Sequence, residues 1–536
     1  MGEGRRRRVR GDQATGWLVL LPLVAGCPKG NPLDTDGPEP PTVIEHCGTI
    51  TDAEVWEADV GHRLTCDVVV EGSLTLEPGV EVVAERDTAL RIHGGVLDAV
   101  GDQHEPLLLA SAESFPVAGD WVGLVALDAT VNLAYATVRH AGSEGALVEL
   151  TGGTASLSNL ILSNSIQRGL YAEGTEFSLL EELEIAYTDE PITIPWAAAA
   201  LLSGVYLDQV DGAAVRLLGD TLDVPVGLGA IGVPYLSGAI TVGSGGNLWV
   251  DEGAILALSG DVVVDAGGSI VIRGVPGNTA AVIGWEGAGF LISIHRDVTL
   301  ADFRWASLVG GRVESDAAAL SFRYSDIDAA PGVGLTITGG LDHSVHSQLS
   351  GSSFTGSGYG MVVPIGLVPS IGENDYSGSS FDGLVVAGGT VSDTVDVSIW
   401  PPGEVLVDGE LRLTGPSVTL GGPAILRFDS GGALVVDGAQ LVVFDMTFTH
   451  VGEIPGGWQG VTVTGQDAVG VFDRSVLAYG GSWGSANLTL DATAFVRDCT
   501  LLSSAGWGIL VGADVEVDLE GNDYQDNAQG DVGQGS

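Results

Sequence analysis

At 536 residues the chain has room for several ordinary domains, so a single-domain reading has to rest on repetition. Glycine supplies 81 residues, charged residues are only 17%, and lysine occurs once, at Lys29; this excludes a coiled coil or helical array and points to an all-β chain rich in tight turns. The formal net charge of −49, with basic residues scattered singly after position 30, argues against a nucleic-acid partner and leaves at most weak, many-point Ca²⁺ binding by surface carboxylates.

Residues 1–26 open with Arg5, Arg6, Arg7, Arg8 and Arg10, run through an apolar stretch from Trp17 to Val24, and end Val24-Ala25-Gly26 before Cys27. The apolar stretch is shorter than the roughly 20 residues a membrane span needs, which favours a cleaved export leader. The pattern resembles a bacterial lipoprotein signal. That resemblance implies that Cys27 becomes the first mature residue, that its thiol carries diacylglycerol, and that the protein is exported and lipid-anchored to the cell envelope. Pro28, where some lineages place Asp, favours the outer membrane. An ordinary secretory leader with a chance cysteine is the alternative. Residues 27–45, with Pro28, Pro32, Pro38, Pro40 and Pro41 among Gly and acidic residues, read as an extended tether.

Export implies an oxidising compartment, so Cys47 and Cys66, 19 residues apart, are candidates for a disulfide at the first coil of the body. Two unpaired buried thiols are the alternative. Cys499 has no histidine nearby in sequence and reads as a small buried residue.

From about residue 67 the chain is a succession of short β-rich runs such as Val68-Val69-Val70, Ile270-Val271-Ile272 and Leu434-Val435-Val436, separated by Gly, Asp, Asn or Ser. A longer period lies above this. Glycine before a strand recurs at Gly72 and Gly95, at Gly246 and Gly268, and at Gly409 and Gly432, spaced 23, 22 and 23 residues. Each pair is followed by Trp-x-Gly (Trp121, Trp285, Trp458) and later by Gly-apolar-x-apolar (Gly169, Gly334, Gly508). Both landmarks advance in step, by 164 and 165 residues and then by 173 and 174, which points to three copies of one block.

A spacing of 22 to 23 residues suits one coil of three short strands and three corners. The chain resembles the bacterial right-handed β-helix repeat proteins. The resemblance implies an all-β right-handed parallel β-helix with three strands per coil over 46–527, built from blocks of about 67–234, 235–403 and 404–527. A disordered tail at 528–536 completes the expected organisation. Stacked coils would satisfy backbone groups along the axis while Val, Leu and Ile fill a continuous interior.

Many β-helices of this hand act on polysaccharides. Pectate lyases carry Trp-x-Asp-His and paired arginines; here Asp342-His343 lacks both companions. Polygalacturonase motifs are absent. Asp326 and Asp328 alternate on one strand face, and an inverting glycosidase needs carboxylates about 6.5–9.5 Å apart, yet alternating acids on an exposed strand read first as solvated surface. His343-x-x-His346 has no third ligand in view, so no metal or other cofactor is expected. Trp121, Trp285 and Trp458 are candidates for a row of sugar-stacking platforms, with structural corners as the competing role. The expectation is a non-catalytic envelope or surface lipoprotein, with no catalytic residues, whose rigid rod serves structure or adhesion by binding a polysaccharide or surface protein. A carbohydrate-active enzyme is the alternative.

Overall fold

The computed structural model describes residues 42–317, 320–329, 331–339 and 349–535. Cys27, Asp342, His343 and His346 lie outside the described residues. Val43–Ser536 is one compact unit, a parallel β-solenoid of about 21 turns. The glycine-led pairs of the sequence stack as neighbours, with Ser73 opposite Val96, Asn247 opposite Ser269 and Glu410 opposite Ala433. The Gly-apolar landmarks also stack coil on coil, Leu170 lying between Val148 and Ile192 and Ile509 between Leu488 and Val532.

Alternation sets the interior. In Gln440–Phe444, Leu441 and Val443 are buried while the residues between them face out; Phe472 and Val496 continue the Val443 column through the next two coils. Every strand pairing between named strands is parallel, so each inward side chain rests on its equivalent about 4.8 Å away. The apolar interior is one cluster running from Trp56 to Val511.

Corners are made by single residues in the left-handed region. Tyr135, Asn159 and Glu182 (φ +47°, +53° and +51°) stand one above another inside the long strands Thr130–Arg139, Thr154–Ser163 and Glu176–Ala186. Each bends its strand without breaking the ladder, so this stretch has one long bent strand and one six-residue strand per coil where three short ones were expected. Between Thr221 and Ser350 the faces run instead as three separate ladders.

Behind some corners a small polar residue turns inward and accepts the amide of the previous coil. Ser325 N–H donates to Ser352 Oγ (3.2 Å) and Ser352 N–H to Asn374 Oδ1 (3.0 Å). The same device recurs where Ser475 N–H meets Cys499 Sγ (3.5 Å) and Cys499 N–H meets Asn522 Oδ1 (2.9 Å). These bonds satisfy amides that the bend removes from the sheet ladder.

Two boundaries differ from expectation. The first strand, Val43–Ile50, begins inside the expected tether and pairs with Gly61–Val70. The last, Gly530–Gln534, occupies the expected disordered tail, because Val532 continues the Ile509 ladder and Gly530 fits beside Trp507.

Candidate functional site

Cys47 and Cys66 form a disulfide with Cα atoms 4.9 Å apart, joining the first strand to the next coil. Beside it His46, Trp56 and His62 stack, with ring centroids 4.0 Å (His46–Trp56) and 4.9 Å (Trp56–His62) apart. His62 Nε2 donates to the Glu57 carbonyl (3.0 Å), which leaves its Nδ1 to accept from His46 Nε2 (2.9 Å). Burial, and then the neighbouring His62, lower the pKa of His46, while Glu54 opposes them. This cluster covers the start of the core.

The three repeat tryptophans are not a row of platforms. Trp121 and Trp458 are fully buried, their indole N–H groups donating to the carbonyls of Arg139 (3.0 Å) and Ala478 (2.8 Å). Trp458 also stacks on Phe428 at 4.3 Å. Such residues offer no face to a sugar; the glycine following each lets the chain pass close under the next coil, where a Cβ on Gly123 or Gly460 would come within 2.7 or 2.4 Å of backbone. Trp285 differs, lying half-buried in a short 3₁₀ turn against the small Ala214, Leu236 and Ala257 cluster.

Asp326 and Asp328 do face outward, with Ile327 buried between them. Two residues along a strand span about 6.6 Å, and partial burial raises the Asp326 carboxyl pKa. Their lateral neighbours are Ser307 and Ser353, and Val309 and Thr355. Cys499 is buried, and burial pushes its thiol up to about 11, which suits its place in a corner ladder and not a nucleophile. Among the described residues no group of three or more His, Cys, Asp or Glu side chains is placed to hold a metal ion, and no described helix is long and apolar enough to cross a membrane.

Outward faces gather aromatics and arginines at several places, as where Arg168 lies 4.9 Å over the Tyr171 ring; two such faces hold more than one of each. A groove of about 590 Å³ is lined by Phe444, Phe495, Arg474 and Arg497, among others. Its arginines are matched by acids, Arg474 by Asp445 and Asp473 and Arg497 by Asp518 and Glu520. The second face lies where Arg273, Arg304 and Arg323 fall opposite one another on three consecutive coils. Each of the last two is followed by an aromatic corner residue, Trp305 (φ +51°) and Tyr324 (φ +52°), whose rings stack at 4.9 Å. Sequence reading missed this column because its members are 31 and 19 residues apart and meet only through the coil register.

No protein-family model, curated protein or solved structure matches the chain.

Proposed function

We propose that the protein is an exported lipoprotein of the cell envelope, held at the outer membrane through lipid on Cys27, whose right-handed β-helical body acts as a rigid, non-catalytic rod. Its outward faces contact glycans or surface proteins. The carrying observation is the Cys47–Cys66 disulfide at the first coil, a bond that persists in oxidising compartments, close behind the leader read at 1–26 and the Cys27 that follows it. A stacked solenoid suits the role, since each coil is fixed by its neighbours and the outward residues are free to vary. Labelling with radioactive palmitate should mark the wild-type chain and fail on Cys27→Ala, which should also leave the membrane fraction. Membrane association unchanged in that variant would sink the anchor.

A polysaccharide hydrolase is the second reading, favoured by the outward Asp326 and Asp328 pair and the raised Asp326 carboxyl. Reducing-end release from a panel of neutral and acidic polymers, with and without Ca²⁺, separates the two. Release that disappears in Asp326→Asn would establish the enzyme; a panel without release favours the rod.

A further inference from the structure

We propose that the column Arg273–Arg304–Arg323, with the stacked pair Trp305 and Tyr324, is a binding site for an anionic saccharide, one whose sugar units carry carboxylate or sulfate groups. The inference deepens the rod reading and rests on it for the presence of a glycan ligand. Three observations lead to it.

The first is charge. In a chain of net charge −49, three guanidinium groups stand opposite one another across successive coils, at a spacing of about 4.8 Å. Like charges so close are unfavourable unless counter-charge is supplied. For Arg273 and Arg304 the counter-charge is Asp302: its Oδ2 accepts from Arg273 Nε (2.6 Å) and lies 3.9 Å from Arg304 Nη2. One carboxylate is thus shared by two arginines.

The second is unfinished hydrogen bonding. Asp302 is only 3% exposed, yet its Oδ1 has no partner, and neither has the buried Nε of Arg304. Unsatisfied buried polar atoms are costly. A bound anion could take the Arg304 Nε–H, and a sugar hydroxyl could donate to Asp302 Oδ1. The guanidinium ends stay reachable, the side chains of Arg273 and Arg304 being 48% and 40% exposed.

The third is the aromatic pair. Trp305 and Tyr324 each follow an arginine of the column, so ring and guanidinium alternate with the coils. Tyr324 leans over Gly351, where a Cβ would meet its ring at 2.5 Å. On the other side the column position before Trp305 is Gly274, whose N–H donates to the Arg304 carbonyl (2.9 Å); the indole is half-buried, and the Tyr324 ring is 48% exposed. An apolar pyranose face packs on such a ring, while the planar forks of the arginines pair with carboxylate or sulfate oxygens.

The test uses the full chain in detergent, with polygalacturonate, dextran sulfate and dextran as probes in a calorimetric titration. Binding of polygalacturonate, dextran sulfate or both is expected, weakened at least tenfold by Arg304→Gln and by Trp305→Gly; the better probe identifies carboxylate or sulfate. Trp305→Gly suits the left-handed backbone there, so it keeps the test open if Arg304→Gln unfolds, and circular dichroism checks both. Arg474→Gln, in the acid-matched groove, should leave affinity unchanged. The inference is overturned if neither polyanion binds, if dextran binds as well as they do, or if a folded Trp305→Gly binds like wild type. Any of these leaves the lipid-anchored rod standing, and a failed palmitate test leaves this one unaffected, since it needs no membrane.

Discussion

Trp458 and Trp285 hold the same place in the sequence repeat and opposite places in the molecule. Around Trp458 the chain turns its costly groups inward or matches them: the indole is buried on Phe428 and bonded to Ala478, and Arg474 and Arg497 are met by acids. Around Trp285 the indole is half-buried in a 3₁₀ turn, and a little further along Arg273 and Arg304 share the single carboxylate of Asp302. The two regions keep one coil register while spending their aromatic and cationic side chains differently. In a solenoid the ladder and the inward columns constrain the fold, so a copy can change its outward residues at little cost in stability.

The largest expected break in that comparison comes from the tryptophans themselves. Trp458→Ala should cost about 3–5 kcal/mol, the usual range for emptying a buried aromatic site. Trp285→Ala should cost less, about 1–2 kcal/mol, because the indole is only partly covered and rests on the small Ala214, Leu236 and Ala257 cluster. Urea unfolding followed with hydrogen exchange in the adjoining coils measures both; equal losses would mean that the two corners are alike after all. A comparable but local effect is expected at the N-terminal end, where removing the disulfide with Cys47→Ala and Cys66→Ala should destabilise the first coils by about 3 kcal/mol. Exchange should then quicken in Val43–Val70 and stay slow in the interior near Phe322 and Phe354.

A smaller pair of substitutions sharpens the corner ladder. Asn522 accepts the Cys499 N–H and donates to the Val496 carbonyl (2.8 Å), so Asn522→Ala strands both buried groups and should cost about 1–3 kcal/mol. Cys499→Ser keeps an acceptor for Ser475 N–H at a position where Ser352 already does the same work, and should change stability by about 1 kcal/mol or less. A large loss from Cys499→Ser would show that the thiol's volume, and not its hydrogen bond, holds that corner.

Much of the fold was legible because β-stacking writes itself into sequence as a period. Gly72 and Gly95, or Gly409 and Gly432, announce one coil, and the coil fixes which residues become neighbours. The Cys47–Cys66 pair could be read in the same way, from a separation near one coil. What could not be read was the direction and packing of individual side chains. Trp121, Trp285 and Trp458 look equivalent in sequence, yet the neighbours that bury or release each indole come from other coils. The arginine column escaped for a related reason: coil lengths vary by insertion, so Arg273, Arg304 and Arg323 share no fixed spacing. The two-strand coils of 130–208 were equally hidden, since nothing in Tyr135 or Glu182 declares a left-handed bend.

The smallest predicted effect concerns acid, and it contrasts the N-terminal cluster with the rest of the rod. His46 is held neutral by burial and by His62, so its pKa in the folded chain lies below the ordinary value near 6.5. The unfolded chain therefore binds the proton more readily, and stability is full above about pH 6.5 and falls as pH drops below it. His140 and His450 are lowered by burial as well, so a global unfolding curve would mix three contributions. A local reading separates them. Hydrogen-exchange protection in Val43–Val70, taken relative to the intrinsic exchange rate at each pH, should fall between pH 7.5 and 5, and that local response should flatten in His46→Gln, which retains a polar side chain beside His62 and cannot take up the proton. An unchanged pH response in this variant would move the sensitivity away from His46, and would leave the His46–Trp56–His62 stack as packing alone.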